Sequence, residues 1–419
     1  MKKDIKNKIR RYLFSKNLNL VSAKEEGEAE FKNTISRLID EFIHKEHLDL
    51  PEKDKSKIAN EMFSEFTGFG PIEEALKDPK ITEIMINGID RVYVERLNKT
   101  ELTDITFDDE TQLMSLIYKI LSPTRRRVDE SYAYTEVSLK DGSRVNIVIP
   151  PLALNGPVLT IRKFLKGIKS VEDLINFGTL DRRIGDLLIA AIKSKIDIIF
   201  SGATGAGKTT TLNVLSSYIP NDERIVTIED TAELCLSQDH VVRLEARQAN
   251  IEGRGEVTIR ELFKNSLRMR PDRIIMGEIR GAEALDMLQA ICSGHKGSLA
   301  VIHANSPQDV IYRLETMIVS SGIPISLEAI HRQIGSVINF IVQQEQLMDG
   351  SRKITRVTQV NGIKDNQAVL EDIFVYDIEG INEDGSVRGS WKATGIIPVC
   401  YPLFKKSGID LSVEIFNKG

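Results

Sequence analysis

An α/β fold is predicted, and three observations predict it. Beyond residue 180, short apolar runs alternate with helix-length segments, the pattern of a mostly parallel sheet with helices on its faces. One of those runs, Ile196-Asp-Ile-Ile-Phe200, is followed at once by a glycine-rich octet. Ahead of residue 180 the text differs, with helical spacing first and then short β-rich pieces between glycine turns. At 419 residues the chain exceeds one compact core, so two or three domains are expected.

The elements follow in order. Phe31, Ile35, Leu38, Ile39, Phe42 and Ile43 recur at helical spacing, and a second helical run, 55–66, follows Pro51. Residues 1–66 are therefore expected as a helical domain. The text changes at Thr67-Gly-Phe-Gly-Pro71. Residues 67–163 read as a small α+β domain, with strands at 83–86, 91–95 and 145–149, the last after the Asp141-Gly142 turn. The stretch 164–179 mixes glycine, charge and apolar residues and is expected as a linker or hinge. Residues 180–419 then form the main α/β domain.

Composition excludes several classes. Hydrophobic content of 41% and charged content of 28% are those of an ordinary globular protein. A net charge of −5 gives no global attraction to nucleic acid or an anionic membrane, so no direct nucleic-acid contact is expected. Cys235, Cys292 and Cys400 match neither a disulfide framework nor a zinc spacing and read as reduced thiols. The most apolar long stretch, 145–161, is broken by Asn146, Pro150, Pro151, Asn155 and Pro157, too polar for a membrane span. The basic start MKKDIKNKIRRYLF is followed by no long apolar region, so it reads as helix and not as a secretory signal.

The chemistry lies in four motifs between about residues 196 and 317. Gly202, Ala203, Thr204, Gly205, Ala206, Gly207, Lys208 and Thr209, followed by Thr210, fit G-x-x-x-x-G-K-[ST] between a strand and a helix expected at 209–218. Glycines let backbone N–H groups turn inward on phosphate oxygens at the positive end of that helix. Lys208 is expected on the β- and γ-phosphates of ATP, and the Thr209 hydroxyl on Mg²⁺. Two apolar strands end in acids: 225–228 before Glu229-Asp230, with Glu233 beyond, and 273–276 before Gly277-Glu278. A carboxylate at the carboxyl end of such a strand faces the ligand crevice. Either Glu229 or Glu278 is suited to orient water or hold Mg²⁺, and spacing does not choose between them. A third strand, 298–302, is bracketed by His295 and His303, whose surroundings do not suggest zinc.

In this order, the P-loop, TIEDTAEL (227–234), RPDRIIMGEIRGAEALDML (270–288) and GHKGSLAVIHANS (294–306) closely resemble the secretion ATPase superfamily, which powers type II secretion, type IV pili and type IV secretion. The resemblance is nearest to the CpaF-like branch, the ATPases of Tad (Flp, type IVc) pili. It extends to GFGPIEEALKDPKITEIMING (68–88), RRRVDES (125–131), DGSRVNIVIPPLALNGPVLTIRKF (141–164), DGSRKITRVTQV (349–360) and ATGIIP (393–398), covering roughly residues 60–400.

That resemblance implies a RecA-like ATPase domain behind a PAS-like α+β domain. It implies a homo-hexamer at the cytoplasmic face of a bacterial or archaeal inner membrane, driving platform proteins embedded there. It assigns Glu229 to an Asp box with a catalytic carboxylate, and Glu278 to an atypical Walker B with Gly277 where many P-loop ATPases carry aspartate. His295 and His303 match a His box that senses the γ-phosphate; Lys296 stands where the branch often has an acid. Arg144 and Arg162 match arginines that reach the phosphates from the N-terminal domain, a task suited to a planar guanidinium. Arg268, Arg270 and Arg280 flank the Walker B strand without an assigned role. The expected function is assembly, or retraction, of a Tad pilus through ATP-driven closing and reopening about the 164–179 hinge. The alternatives are a type IV secretion or DNA-uptake ATPase and a RecA-like nucleic-acid motor; a basic groove with stacking aromatics would mark the last.

Overall fold

The computed structural model describes residues 2–16, 28–48, 50–96, 99–124, 126–139, 141–163, 168–247, 254–365 and 367–418. The chain divides into two compact units, Met1–Leu165 and Lys166–Gly419.

In the first unit, α1 (Lys2–Ser15), α2 (Glu28–Lys45) and α3 (Glu52–Thr67) pack together. The apolar stripe Phe31, Ile35, Leu38, Ile39, Phe42 and Ile43 is buried with Ile9, Leu13 and Met62, as helical periodicity requires. After a 3₁₀ turn at Gly70–Ile72 and α4 (Glu73–Lys77), the chain builds an antiparallel sheet. Its strands are β1 (Ile81–Asn87), β2 (Val92–Arg96), β3 (Lys99–Leu102), β4 (Tyr134–Ser138), β5 (Arg144–Val148) and β6 (Val158–Arg162), in the order β3-β2-β1-β6-β5-β4. One face carries Ile84, Ile86, Val92, Val94, Val145, Ile147, Leu159 and Ile161, covered by α5 (Glu110–Leu121) through Leu113, Leu116, Ile117 and Ile120. Period-two alternation sends the intervening residues to the opposite face.

Ion pairs tie the helices to this sheet domain. The Arg10 guanidinium lies between Glu65 and Asp108, and Lys6 between Glu61 and Asp108. Lys119 of α5 donates to the carbonyls of Phe66 (2.9 Å) and Gly68 (2.5 Å) at the end of α3. Burial lowers its pKa to about 8 against the pull of Glu73 and Glu65. Residues 1–66 and 67–163, expected as separate domains, thus lie in one compact unit.

Of the expected hinge, 164–167 fall outside the described residues. The remainder carries α6 (Val171–Asn176), opened by a capping box between Ser170 and Asp173. Val171 and Leu174 are buried in the core of the second unit, so most of the segment read as linker is structural there.

The second unit continues with α7 (Arg182–Lys193), β7 (Ile198–Ser201), α8 (Lys208–Ser216), β8 (Ile225–Glu229), β9 (Val241–Glu245), α9 (Ile259–Ser266), β10 (Arg273–Met276), α10 (Glu283–Cys292), β11 (Leu299–Ile302), α11 (Pro307–Ser320), α12 (Leu327–Val337) and β12 (Phe340–Gln346). Antiparallel strands β13 (Arg352–Lys364), β14 (Gln367–Ile381) and β15 (Val387–Ala393) and the short α13 (Tyr401–Lys406) follow. One sheet holds all nine strands in the order β15-β14-β13-β12-β7-β11-β10-β8-β9, with β12 through β9 parallel. The insertion of β11 between the strand before the glycine loop and the strand before Glu278 gives a RecA-like arrangement. β7, β8, β10 and β11 are buried at every position, which is why they read as unbroken apolar runs. Phe200 and Val301 pack toward Leu187, Leu188, Leu212 and Leu215 on one face. Ile199 and Ile274 pack toward Leu285, Leu288, Val310 and Leu314 on the other. The antiparallel extension β13–β15 was not anticipated. Among the described residues no helix is long and apolar enough to cross a membrane.

Candidate active site

The parallel strands deliver their carboxyl ends to one edge of the sheet, where ligands bind in such folds. The loop after β7 is shaped for close approach. Gly205 and Gly207 take φ of 80° and 96°, and a Cβ at Gly202 would stand 2.1 Å from the carbonyl oxygen of Gln344. Gly207 opens α8 without a side-chain cap, leaving that helix terminus to an anion. Lys208 is buried, its Nζ donating to the Ala203 carbonyl (2.7 Å) and lying 3.4 Å from His303 Nδ1. Burial lowers the Lys208 pKa to about 8, opposed by Glu278 and Glu233. Among the described residues no carboxylate is bonded to this desolvated ammonium, which fits a phosphate. Thr209 and Thr210 are half-buried on the first turn of α8, and their hydroxyls are uncommitted among the described residues. Thr209 is thereby suited to a hard cation such as Mg²⁺.

The two candidate carboxylates sit in unlike surroundings. Glu229, at the end of β8, is 3% exposed. Its Oε1 accepts from the backbone N–H groups of Glu233 and Leu234, each at 2.9 Å, while Oε2 is buried without a partner among the described residues. Burial raises its pKa in spite of those two bonds. Glu278 is already spoken for. Its Oε2 accepts from Arg280 Nη2 (2.7 Å), and its Oε1 lies 3.3 Å from His303 Nε2. Burial pushes the Glu278 carboxyl up, but the Arg280 bond, the attraction of His303 when that ring is protonated, and the charges of Arg280 and Lys208 outweigh it and hold it below the usual range.

Gly277 explains part of this contrast. A Cβ there would stand 2.8 Å from Glu229 Cγ and 3.3 Å from its Oε1. The Glu229 side chain therefore occupies the space that an acidic residue at 277 would need. A glycine at 277 is the condition for Glu229 to lie where it does.

His303 and His295 part company. Burial and the Lys208 charge, against the pull of Glu278, lower the His303 pKa. A neutral ring facing an ammonium through Nδ1 accepts there and donates from Nε2 to Glu278. His303 thus joins the P-loop lysine to the Walker B acid. His295 is set apart by the length of β11: it precedes that strand and sits past the end of α10, with Nδ1 3.2 Å from the Ala290 carbonyl. Among the described residues its ring nitrogen is bonded at the end of α10, whereas His303 stands at the opposite end of β11 beside Lys208.

Arg144 and Arg162 belong to the first unit. They are register partners on β5 and β6, with Glu83 of β1 beside Arg162 in the same row. Arg162 Nε donates to Glu83 Oε1 (2.5 Å), and Arg144 lies 3.6 Å from Glu136 Oε1. Of the three unranked arginines, Arg280 reaches the site, also approaching Asp230 at 3.7 Å. Arg268 contacts Asn265, and Arg270 takes a left-handed turn before β10. The sequence reading did not single out Gln344 and Arg352. Gln344 Oε1 accepts from the buried Thr211 hydroxyl (2.9 Å), and Arg352 Nε donates to the Gly205 carbonyl (2.8 Å). Both come from a hairpin more than 130 residues away in the chain, beyond the reach of local spacing.

A family model described as type II/IV secretion system protein matches residues 65–380. Type IV secretion system protein VirB11 of Brucella suis is 31% identical over 299 residues, 65% of this chain and 83% of that protein. Conjugal transfer protein TrbB of Rhizobium radiobacter is 29% identical over 301 residues, 71% of this chain and 89% of that protein. Among solved structures, the VirB11 ATPase from the Brucella suis type IV secretion system, in complex with sulphate, aligns at a TM-score of 0.38 and 29% identity over 69% of this chain and 95% of that one.

Proposed function

Because the chain belongs to the type II/IV secretion system protein family and is a P-loop ATPase of it, we propose that it works as the hexameric traffic motor of a type IV secretion or conjugal transfer machine. It would act at the cytoplasmic face of the inner membrane, on platform proteins embedded there. Support for the cargo class is the likeness to VirB11 and TrbB. The catalytic part rests on one observation, the buried Oε2 of Glu229, unpartnered among the described residues, at the carboxyl end of a strand in the sheet that also carries the P-loop.

In this reading the P-loop amides and Lys208 hold the β- and γ-phosphates. Thr209 and Glu278 would hold Mg²⁺, which when bound neutralises phosphate charge as a Lewis acid. Glu229 is the general base: Oε1 is fixed by two N–H groups, and Oε2 takes the proton of the attacking water. His303 reports the state of the phosphate site to Glu278 through its two ring nitrogens. Arg144 and Arg162 stabilise charge on the transferred group when the first unit closes, and phosphate loss releases them.

A pH dependence follows. Lys208 must carry its proton to attract phosphate, and in the empty site it loses that proton near pH 8. Nucleotide Kd is therefore expected to be flat below pH 8 and to rise toward about tenfold per unit above it. Fluorescence titration with a nucleotide analogue from pH 6.5 to 9.5 checks this.

A second reading, assembly of a Tad pilus, has the sequence stretches 68–88 and 141–164 in its favour. Cells carrying Lys208→Ala separate the two. Loss of protein or DNA transfer with surface fibres intact supports the secretion reading; loss of fibres replaces it with the pilus reading.

A further inference from the structure

Three consecutive residues open β13, and each makes a bond outside the sheet or along its margin. Arg352 lies on the P-loop, with Nε on the Gly205 carbonyl (2.8 Å) and Cδ 3.2 Å from where a Cβ of Gly207 would stand. Lys353 Nζ donates to the Gly178 carbonyl (2.5 Å), and Ile354 N–H donates to the Thr179 carbonyl (2.7 Å). Gly178 and Thr179 close the α6 segment, the first piece of the second unit after the chain enters it at Lys166. One short piece of strand therefore holds the phosphate loop at one end and the close of the α6 segment at the other.

The Lys353 end is a built site. Its ammonium stands 5.9 Å from the Tyr376 ring centroid and 5.6 Å from that of Trp391, within cation–π range of both. Burial holds its pKa below the ordinary lysine value. Trp391 is fixed in turn by its Nε1 donating to the Ile354 carbonyl (2.7 Å). Gly178 has φ of 63°, and a Cβ there would stand 3.0 Å from Lys353 Nζ, so a side chain at 178 would push the ammonium away. The Arg352 end meets an outward-facing group: in a loop whose N–H groups converge on phosphate, the carbonyls turn away and need another donor.

We propose that Arg352 and Lys353 are positioning residues that couple the P-loop to the α6 segment, so that nucleotide-dependent adjustment of the loop is passed through β13 to Gly178 and Thr179. The strand is a stiff lever because residues 352–354 pair with Gln346, Glu345 and Gln344 of β12, and from Arg356 onward β14 holds its other side. The proposal deepens the nucleotide reading of the P-loop and rests on it. It differs from simple bracing: bracing would change nucleotide affinity, whereas coupling changes what nucleotide does elsewhere.

The test is hydrogen exchange of residues 168–179 in the full chain, with and without ADP and a non-hydrolysable ATP analogue, after nucleotide titration of each protein. In wild type, nucleotide slows exchange in this segment. Lys353→Met, which keeps the stem against the rings, is expected to bind both nucleotides within about twofold of wild type yet to lose the nucleotide-dependent slowing. Its kcat falls on the order of tenfold at little-changed KM. Arg352→Gln breaks the other end and loses the same slowing, and Lys353→Arg, a cation over the same rings, restores it. Slowing at wild-type size in both Lys353→Met and Arg352→Gln overturns the coupling, as does wild type that binds nucleotide without any change at 168–179. Failure of wild type to bind nucleotide in the titration removes the P-loop reading itself, before exchange is measured.

Discussion

Glu229→Gln lowers the steady-state turnover of ATP by about 10²–10⁴-fold while leaving nucleotide affinity nearly intact. Glutamine keeps the size of the side chain and a carbonyl oxygen for the N–H groups of Glu233 and Leu234, so the fold and the loop 230–234 are retained. What it removes is the proton acceptor at the buried, unpartnered second oxygen. Glu278→Gln is expected to act differently. That carboxylate is bonded to Arg280 and faces His303, and it is held in its charged form below the ordinary range. Its loss weakens the hold on Mg²⁺ and frees Arg280, so the Mg²⁺ concentration for half-maximal rate rises. Phosphate-release assays across a Mg²⁺ series distinguish the two variants.

Gly277→Asp is the second large effect, and its direction runs against motif logic. Restoring the aspartate common elsewhere at this position is expected to abolish activity, by about a hundredfold or more, because displacement of a catalytic group by about 1 Å costs that much. The new Cβ would stand 2.8 Å from Glu229 Cγ, and its carboxylate would then lie against a buried carboxylate. Gly277→Ala separates the steric part from the charge part, and should fall between wild type and aspartate in turnover. Nucleotide affinity changes little in either, since the P-loop is untouched. Turnover and nucleotide titration of the three proteins provide the check.

The parallel core was legible because its buried strands are unbroken apolar runs, each ending at a motif whose chemistry needs a strand terminus. The helical start was legible through the spacing of Phe31 to Ile43, all of which are buried. The joining of that region to the sheet domain was not, since Arg10, Glu65 and Asp108 meet across 98 residues and share no local pattern. The chain's acids were found at the right strand ends, but their environments were not, and it is environment that separates Glu229 from Glu278. His295 and His303 looked equivalent because only their sequence spacing was visible; they stand at opposite ends of β11, one bonded to the Ala290 carbonyl and the other beside Lys208 and Glu278. Gly277 stood out as an anomaly, and its reason is a side chain from a neighbouring strand. Arg352 and Lys353 lay inside a recognised stretch, 349–360, yet their partners are 147 and 175 residues distant.

The nucleotide retained by the Glu229→Gln protein tests the central claim most directly. The purified full chain is incubated with ATP and Mg²⁺, freed of unbound nucleotide, denatured and resolved by chromatography. A site that binds through Lys208 and hydrolyses through Glu229 yields intact ATP from the variant and ADP from wild type. ADP from the variant would show that the reaction proceeds without Glu229, and would contradict its place as the general base.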